Sequence, residues 1–328
     1  MTWLEVAPNI FSIREKSYRF SQPSVNVYFV LCDNGHGILY DAGYAMKLSF
    51  NDFLTNFTRL VQQLKLEGRL RKEVAFHDIV DRIIVSHEHH DHSSGVPLLR
   101  RYFPRAIVCA SAATAALLKH QSDFVLMQQR GFPMLKEMIK DMLMNFFLRL
   151  IRVQPSIKID HVLKDGEEVA GGEYNFRVLL VTGHSPSQAL LHDEQHRMLF
   201  TSDLILQDIS TWLGPPHSSY RGYMEAMERL AALDLSIMLP AHGKMIMHPR
   251  ERTMQLIKFR QLREEQIVKT CAEKSQSIGD IAWRTYRERG LGIYMISRGL
   301  VNLVADYLVE NGRLRAIKAG RKIKYIKT

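Results

Sequence analysis

A chain of 328 residues with 46% hydrophobic residues can bury an extensive core, which predicts a globular protein of more than one domain. Its three cysteines, Cys32, Cys109 and Cys271, are far apart and form no Cys-x-x-Cys pair, which argues against a disulfide framework and a thiolate metal site. No uncharged run of about 18 residues occurs, and residues 1–14 lack the apolar core of a signal peptide. We therefore expect a cytoplasmic protein without a membrane span.

The excess of basic residues lies entirely at the C-terminal end of the chain. Residues 250–328 contain 18 Lys+Arg and 8 Asp+Glu, and this excess equals the net charge of +10 of the whole chain. Basic surfaces can bind nucleic acid through its phosphates. The change in charge predicts a boundary near residue 250, with one domain over 1–249 and a basic domain over 250–328.

The first third of the chain alternates short apolar runs with turn residues, which predicts strands over 10–13, 26–31 and 37–40. Apolar residues then recur at helical spacing over 48–66, which predicts an amphipathic helix. The apolar β-branched run at 83–85 predicts a buried strand. The same rules predict helices over 96–103, 111–118 and 220–233, and strands over 106–110, 159–163, 176–181, 189–192, 198–200 and 236–239.

Residues 121–153 are richer in Met and Phe than their surroundings, and their spacing predicts a helical insertion broken at Gly131-Phe132-Pro133. Methionine side chains fill irregular gaps and form adaptable apolar surfaces. Three interpretations of this insertion stay open. It packs against the core, it forms a lid over an apolar substrate pocket, or it contacts a second copy of the chain or a membrane surface.

The most informative stretch is His87-x-His89-x-Asp91-His92, which comes directly after the predicted strand at 83–85. Imidazoles packed together repel one another when they are protonated, whereas a divalent cation binds neutral imidazole and ionised carboxylate together. The stretch also lies at the carboxyl end of a strand, where α/β proteins place their chemistry. It therefore predicts a metal site.

The same pattern returns at four other places in the chain. A His or Asp beside Gly or Ser follows a short apolar strand at Asp41, His184, Asp203 and His242. A single residue of this kind is more often an ordinary core residue than a ligand. Because strand ends meet at the edge of a sheet, five such positions in one order indicate a shared site.

These five motifs resemble, in order, those of the metallo-β-lactamase superfamily, over residues 8–248. The resemblance rests on Tyr40-Asp41-Ala42-Gly43, the histidine stretch, Gly183-His184-Ser185-Pro186, Ser202-Asp203 and Pro240-Ala241-His242-Gly243. It implies an α/β fold, the four-layer αββα sandwich of that family, with a site for two divalent metal ions at one edge of the sheets. The implied ligands are His87, His89 and His184 for one ion, Asp91, His92 and His242 for the other, and Asp203 as the bridge.

The resemblance implies that Asp41 is not a ligand but orders the histidine loop. Two neighbouring cations lower the pKa of a water between them, so a metal-bridging hydroxide can attack without a nucleophilic side chain. Asp91 is the candidate catalytic residue, because this ligand can also orient the water or accept its proton. Glu88 and His90 are expected to face away from the metals. Zinc is the expected metal, although these ligands also suit iron and manganese.

The basic tail resembles a winged helix in the order of its predicted elements. Helices are predicted over 250–273, over 278–286 with Ser277 as N-cap, and over 297–311, followed by a hairpin with strands over 313–317 and 322–326. A lactamase-type core followed by a small winged helix resembles the β-lactamase-like-2 group, and the complete ligand set is similar to that of glyoxalase II, lactonases and metallo-endoribonucleases. A cysteine takes the place of Asp203 in the main zinc class of true β-lactamases, so lactam hydrolysis is not expected.

Two enzymatic functions fit these observations. The first is a hydrolase of a small-molecule thioester, ester or lactone, which the ligand set and the apolar insertion favour. The alternative is a phosphodiesterase or endoribonuclease whose basic winged helix binds nucleic acid, although that domain could equally pack on the core or form a homodimer. A binding module with a vestigial site is disfavoured, because all seven ligands are present. Tyr220, Tyr223 and His217 are candidates for substrate contact, with ordinary packing as the alternative.

Overall fold

The computed structural model describes residues 3–16, 23–33, 35–119, 156–320 and 322–328. The predicted insertion at 121–153 lies outside these residues. The chain forms two compact units. The first comprises Met1–Val181, Ser187–Ile209 and Asp234–Met247, and the second comprises Thr182–Pro186, Ser210–Leu233 and His248–Thr328. The basic tail thus shares a unit with two earlier stretches, and a domain division at residue 250 stays a prediction.

The first unit contains a seven-stranded mixed sheet whose strands follow one another in chain order. Its strands are β1 (Trp3–Ala7), β2 (Ile10–Glu15), β3 (Val25–Leu31), β4 (Gly37–Tyr40), β5 (Val80–Ile84), β6 (Ile107–Ser111) and β7 (His161–Leu163). Neighbours from β1 to β4 are antiparallel, and those from β4 to β7 are parallel. Parallel neighbours require crossover connections, and helices supply them. These helices are α1 (Lys47–Leu66), α2 (His90–Ser93), α3 (Val96–Tyr102) and α4 (Ala112–Leu118), with a short 3-10 helix at Phe76–Asp78.

Helix α1 covers one face of this sheet, as its predicted amphipathic pattern requires. Phe57 lies at the centre of the packing, with its ring 5.1 Å from that of Phe29 on β3 and 5.8 Å from that of Phe103. All three side chains are buried. Because side chains alternate across a strand, β3 directs Phe29 to the helical layer and Tyr28 to the opposite face.

A second, five-stranded sheet packs against that opposite face. Its order is β12-β11-β10-β9-β8, with bounds β8 (Glu168–Gly171), β9 (Tyr174–Val181), β10 (Gln188–Asp193), β11 (Met198–Ser202) and β12 (Ile237–Pro240). The ring of Phe200 lies 5.2 Å from both Tyr28 and Tyr40 of the first sheet. The first unit is therefore a helical layer and two sheets. Strand β8 was not predicted, because Glu168–Gly171 contains a single β-branched residue, Val169, and ends in glycine.

The second unit is mainly helical. It contains α5 (Tyr220–Ala231), α6 (Pro249–Thr270), α7 (Ile278–Tyr286) and α8 (Leu291–Glu310), a 3-10 helix at Arg287–Arg289, and a hairpin of β13 (Leu314–Ala319) and β14 (Lys322–Lys327). The predicted cap of α7 is confirmed, because the Ser277 hydroxyl accepts a hydrogen bond from the Asp280 backbone N–H. Helix α8 begins earlier than predicted, directly after Gly290, whose φ of 96° ends the preceding turn. None of the helices formed by the described residues has the length and apolar content needed to span a bilayer.

Candidate metal centre

The histidine stretch follows β5, and a close backbone contact holds it against the loop after β4. The Ala42 N–H donates to the His92 carbonyl oxygen at 2.9 Å, and the Gly95 N–H donates to the Gly43 carbonyl oxygen at 3.0 Å. A Cβ at Gly95 would overlap the Ala42 carbonyl oxygen. Glycine at this position therefore allows the two segments to meet, which brings Asp41 beside the histidines.

Asp41 is a buried carboxylate that joins this loop to the histidine stretch. One of its oxygens accepts a hydrogen bond from the Ser86 backbone N–H at 2.8 Å, and the other accepts from His92 Nδ1 at 2.8 Å. The backbone of Asp41 adopts a φ of 69°, a conformation that few residues other than glycine adopt. Since Asp41 accepts a hydrogen bond from Nδ1–H, the proton stays on Nδ1, and the Nε2 lone pair of His92 is available for a cation.

The seven predicted ligands form two groups. The first contains His87, His89, His184 and Asp203, and the second contains Asp91, His92 and His242. Within each group, the ligand atoms lie within 4.8 Å of one another. In the first group, His87 Nε2 and His89 Nδ1 are only 2.9 Å apart, and a cation between such nitrogens can bind both lone pairs.

Asp203 adjoins both groups. Its Oδ1 lies 3.5 Å from His92 Nε2 and 3.3 Å from His242 Nε2, although Asp203 also belongs to the first group. Asp91 Oδ2 lies 3.2 Å from the same His242 nitrogen. The Asp203 carboxylate therefore lies between the two ligand groups.

Backbone carbonyl groups orient two of the remaining histidines. His242 Nδ1 donates to the Ser24 carbonyl oxygen at 2.8 Å. His184 Nδ1 donates to the Trp212 carbonyl oxygen at 2.7 Å and lies 3.2 Å from the Thr211 hydroxyl. In both cases Nδ1 carries the proton, so Nε2 is the nitrogen that can bind a metal.

The electrostatics of the site couple buried imidazoles to buried carboxylates. Burial alone lowers the pKa of His242, but the Asp203 and Asp91 carboxylates raise it to about 10. Burial alone raises the pKa of Asp203, but His242 and His92 hold it well below its usual range. A bound divalent cation replaces the imidazolium protons as the positive charge that faces these carboxylates.

A buried nitrogen tests whether this donor set fits a metal. His92 Nε2 is inaccessible to solvent and has no hydrogen-bond partner among the described residues. A buried polar atom without a partner destabilises the fold by about 1–3 kcal/mol. Coordination to a cation would satisfy this nitrogen, and a set of imidazole and carboxylate donors is typical of a divalent metal site.

The other residues singled out in the sequence lie outside both groups. Glu88 and His90 contribute no ligand atom to either group. Tyr220 is buried and its hydroxyl donates to Glu264 at 2.9 Å, and Tyr223 is buried beneath the Arg260 guanidinium. Packing within the second unit therefore accounts for both tyrosines.

Sequence reasoning missed the hydroxyl groups behind the histidines. The Ser86 and Ser202 hydroxyls lie 3.0 and 3.3 Å from His87 Nδ1, and the Ser202 hydroxyl donates to that of Ser86 at 2.8 Å. Ser202 has a φ of 48°, so the turn after β11 takes an unusual conformation beside Asp203. Each serine adjoins a ligand in the chain, and this adjacency is the signal that could have indicated them.

Arg260 of α6 supports the loop that accepts the His184 hydrogen bond. Its side chain is buried, donates to the Thr211 carbonyl oxygen at 2.7 Å and lies 5.1 Å from the centre of the Tyr223 ring. We expect Arg260→Ala to leave that carbonyl unsatisfied and to misplace the loop beside His184. Because partners of metal ligands contribute about 10–100-fold to metal affinity, we expect a loss of about tenfold.

Competition with a chromogenic chelator measures this metal affinity directly. Lys258→Ala is the matched control, because Lys258 is an exposed cation on the same helix. We expect the control to bind metal like the unmodified protein. Unchanged affinity in Arg260→Ala would show that the loop holds its position without the guanidinium.

Proteins similar to this chain include enzymes that hydrolyse thioesters. The chain is 25% identical over 228 residues to the human acyl-coenzyme A thioesterase MBLAC2, a match that covers 68% of this chain and 73% of that protein. It is 26% identical over 153 residues to the β-lactamase-like protein 2 homolog of Caenorhabditis elegans, covering 46% of this chain and only 50% of that protein. It is also 21% identical over 204 residues to the atrochrysone carboxyl ACP thioesterase of Aspergillus fumigatus, covering 61% of this chain and 51% of that protein. The chain therefore spans between about half and about three quarters of the length of these relatives.

Solved structures align with nearly the whole chain, and a family model matches its larger part. A β-lactamase domain protein of Burkholderia ambifaria aligns with a TM-score of 0.75 at 21% identity, covering 99% of this chain and 93% of that one. The metallo-β-lactamase family protein TTHA1429 of Thermus thermophilus aligns with a TM-score of 0.74 at 17% identity, covering 99% and 100%. At these identities the likeness establishes the fold alone. The model of the metallo-β-lactamase superfamily matches residues 22–242, which is more than half of the chain. Because this model matches more than half of its residues, this chain belongs to the metallo-β-lactamase superfamily.

Proposed function

We propose that the protein is a metal-dependent hydrolase with two divalent ions, zinc in the first instance, and that its substrate is a thioester. The observation that carries the two-ion proposal is the position of Asp203. Its carboxylate belongs to the first ligand group and lies 3.3–3.5 Å from two histidines of the second. The thioesterases among the relatives support the choice of thioester over ester or lactone.

In this proposal His87, His89 and His184 hold one ion, and Asp91, His92 and His242 hold the other, with Asp203 between them. When bound, such a pair of ions supplies a nucleophilic water at neutral pH and polarises a carbonyl oxygen. The protein's part is to fix the ligands. His92 is oriented by Asp41, and His242 by the Ser24 carbonyl oxygen.

Asp91 is the residue we propose for proton transfer. Its side chain is 18% exposed, whereas that of Asp203 is 11% exposed and that of His92 is inaccessible. A carboxylate that contacts both the site and solvent can accept a proton from an attacking water and pass it to the leaving thiolate. Asp203, which faces histidines of both groups, is better placed to hold the ions than to carry a proton.

The basic tail is the basis for the alternative, a phosphodiesterase or endoribonuclease. Three helices followed by a hairpin, α6 to β14, support a winged-helix domain as a proposal. Several aromatic side chains there contact other side chains of the unit, although Trp283 is 46% exposed. The Trp283 ring lies edge-on to that of Tyr294 at 5.3 Å, and the Tyr325 hydroxyl donates to Asp306. Tyr325 and Tyr286 are buried, so of these rings only the Trp283 indole is substantially exposed, which is less than the row of rings that usually stacks bases.

The proposal predicts selective turnover of thioesters. Metal-reconstituted protein is assayed side by side on an acyl thioester, a lactone and bis-p-nitrophenyl phosphate. We expect thioester hydrolysis that chelator removes and added zinc restores, because the site needs its cations. Hydrolysis of the phosphodiester alone, lost when residues 250–328 are deleted from a protein that still folds, would establish the alternative instead.

A further inference from the structure

A second site lies in the first unit, beside the turn that carries His242. It is a cavity of about 610 Å³, within the range of about 300–1,000 Å³ that is usual for ligand pockets. Strands β1, β2 and β3 form one wall, and the segment Gly243 to Met247 forms the other. None of the seven metal ligands lines it.

The strand register places apolar and cationic side chains at different parts of this wall. Leu4 of β1 pairs with Ser12 of β2, and Arg14 pairs with Asn26 of β3. Because Ser12 and Arg14 are two residues apart, they point to the same face of the sheet. Leu4 is 56% exposed, so an apolar surface lies open beside the cation.

The floor of the cavity is joined to the turn that positions His242. The Asn26 side chain donates to the Pro240 and Gly243 carbonyl oxygens at 3.0 and 3.1 Å, and the Tyr28 hydroxyl donates to the Pro240 carbonyl oxygen at 2.7 Å. These two carbonyl groups flank His242 in the chain. A molecule bound in the cavity therefore lies next to the segment that carries His242 to the metal centre.

The charge of the cavity selects for an anion. Arg14, Lys16 and Lys244 line it, and no acidic side chain among the described residues does so. None of these three cations forms a salt bridge with a described residue, and all three are exposed. Phosphate groups bind to such cations through charge-assisted hydrogen bonds.

The rest of the lining is apolar and includes Trp3, Met245 and Met247. Met247 is 58% exposed, although a thioether has little affinity for water. An occupant that matches the whole cavity is therefore an amphipathic anion, with phosphate at the cations and an uncharged portion against the thioethers and the indole.

We propose that this cavity binds the phosphate-bearing thiol portion of the substrate, such as the phosphopantetheine arm of an acyl thioester. The proposal rests on the thioesterase function proposed above. The same arm occurs in free coenzyme A and on acyl carrier proteins, so the shared chemistry is a phosphate linked to an uncharged, thiol-ended chain. In this arrangement the cavity holds the phosphate-bearing arm, and the scissile thioester extends from the arm to the metal centre.

The test uses charge reversal at two of the cations, Arg14→Glu with Lys244→Glu, in the metal-loaded protein. Arg59→Glu with Lys72→Glu is the matched control, because both residues are exposed cations of the same unit outside the cavity. Binding of desulfo-coenzyme A, which lacks the thiol, is measured by calorimetry. We expect binding to weaken about tenfold or more in the cavity variant and to stay within about twofold in the control.

Steady-state kinetics distinguish recognition of the phosphate from recognition of the thioester group. On acyl-coenzyme A we expect the cavity variant to raise KM about tenfold with little change in kcat. On the same acyl group carried by N-acetylcysteamine, which has no phosphate, kcat/KM should stay unchanged. Acyl carrier protein loaded with the same acyl group is the third substrate, and its kcat/KM relative to that of acyl-coenzyme A identifies the source of the arm. Metal content and the circular dichroism spectrum establish that the variant is folded, and Arg14→Gln with Lys244→Gln is the milder replacement.

An equal loss of kcat/KM on both thioesters would overturn the cavity proposal, as would desulfo-coenzyme A binding that charge reversal does not weaken. Either result would leave the proposed thioesterase function intact. Absence of any thioester hydrolysis would overturn the proposed function, and the binding measurement would then decide whether the cavity accepts a phosphate-bearing ligand. No binding of desulfo-coenzyme A to the unmodified protein would also overturn the cavity proposal.

Discussion

Replacement of Asp203 by alanine is expected to reduce both metal content and turnover sharply. The carboxylate belongs to one ligand group and lies within 3.5 Å of two histidines of the other, so its loss weakens both sites at once. Loss of cation-assisted catalysis amounts to several kcal/mol of barrier, and we expect kcat/KM to fall about 10³-fold, or about 4 kcal/mol. Elemental analysis of the purified variant and steady-state kinetics on a thioester measure the two effects.

Asp234→Ala is the control for this experiment. Asp234 is a carboxylate of the same unit whose side chain is 80% exposed, and it pairs with Arg197 on the surface. We expect this variant to keep its metal and its activity, since exposed ion pairs contribute little. Full metal content and full activity in Asp203→Ala would show that the two ligand groups do not share this carboxylate.

Replacement of Asp41 by asparagine should weaken metal binding without removing a ligand. The introduced amide keeps the shape and can still accept from the Ser86 N–H, but its NH₂ group cannot accept the proton that His92 Nδ1 now donates. His92 is then favoured in the tautomer protonated on Nε2, the nitrogen that faces Asp91 and Asp203. We expect metal affinity to fall about 10–100-fold, as measured by chelator competition.

Asp160→Asn provides the comparison for general effects of removing a carboxylate. Asp160 also accepts a backbone hydrogen bond, from Val108, and pairs with Arg100, but it is not a neighbour of any of the seven ligands in the hydrogen-bond network. Thermal unfolding of the metal-free proteins separates stability from affinity. If both variants lost stability but kept full metal affinity, the role of Asp41 would be limited to holding the loop.

The local elements of the first unit follow closely from the sequence. The helix predicted over 48–66 is α1, Lys47–Leu66, because its apolar spacing continues for several turns. Strand β8 escaped prediction since it contains a single β-branched residue and ends in glycine. The start of α8 at Leu291 escaped prediction since the turn at Gly290, and not a capping side chain, sets it.

The histidine stretch shows how far local chemistry reaches. Its composition alone indicates a cation, because clustered imidazoles repel one another when protonated, whereas a cation binds neutral imidazole and carboxylate together. The recurrence of His or Asp at strand ends indicated His184, Asp203 and His242, the resemblance to a known family implied that they are ligands, and the structure brings all of them into two ligand groups. The strand-end pattern could indicate a shared site but not which residues form each group, since each is separated from the stretch by many strands and turns.

The sequence by itself determined which residue types are available to bind metal and that these residues follow predicted strands. The tertiary structure decided the arrangement, and the physical reason is that hydrogen bonds between distant segments have no local signal. The Asp41 carboxylate orients His92, the Ser24 carbonyl oxygen orients His242, and the Trp212 carbonyl oxygen orients His184. The cationic cavity is likewise a product of folding, because Arg14 and Lys244 line the same cavity only when β2 and the turn after His242 come together.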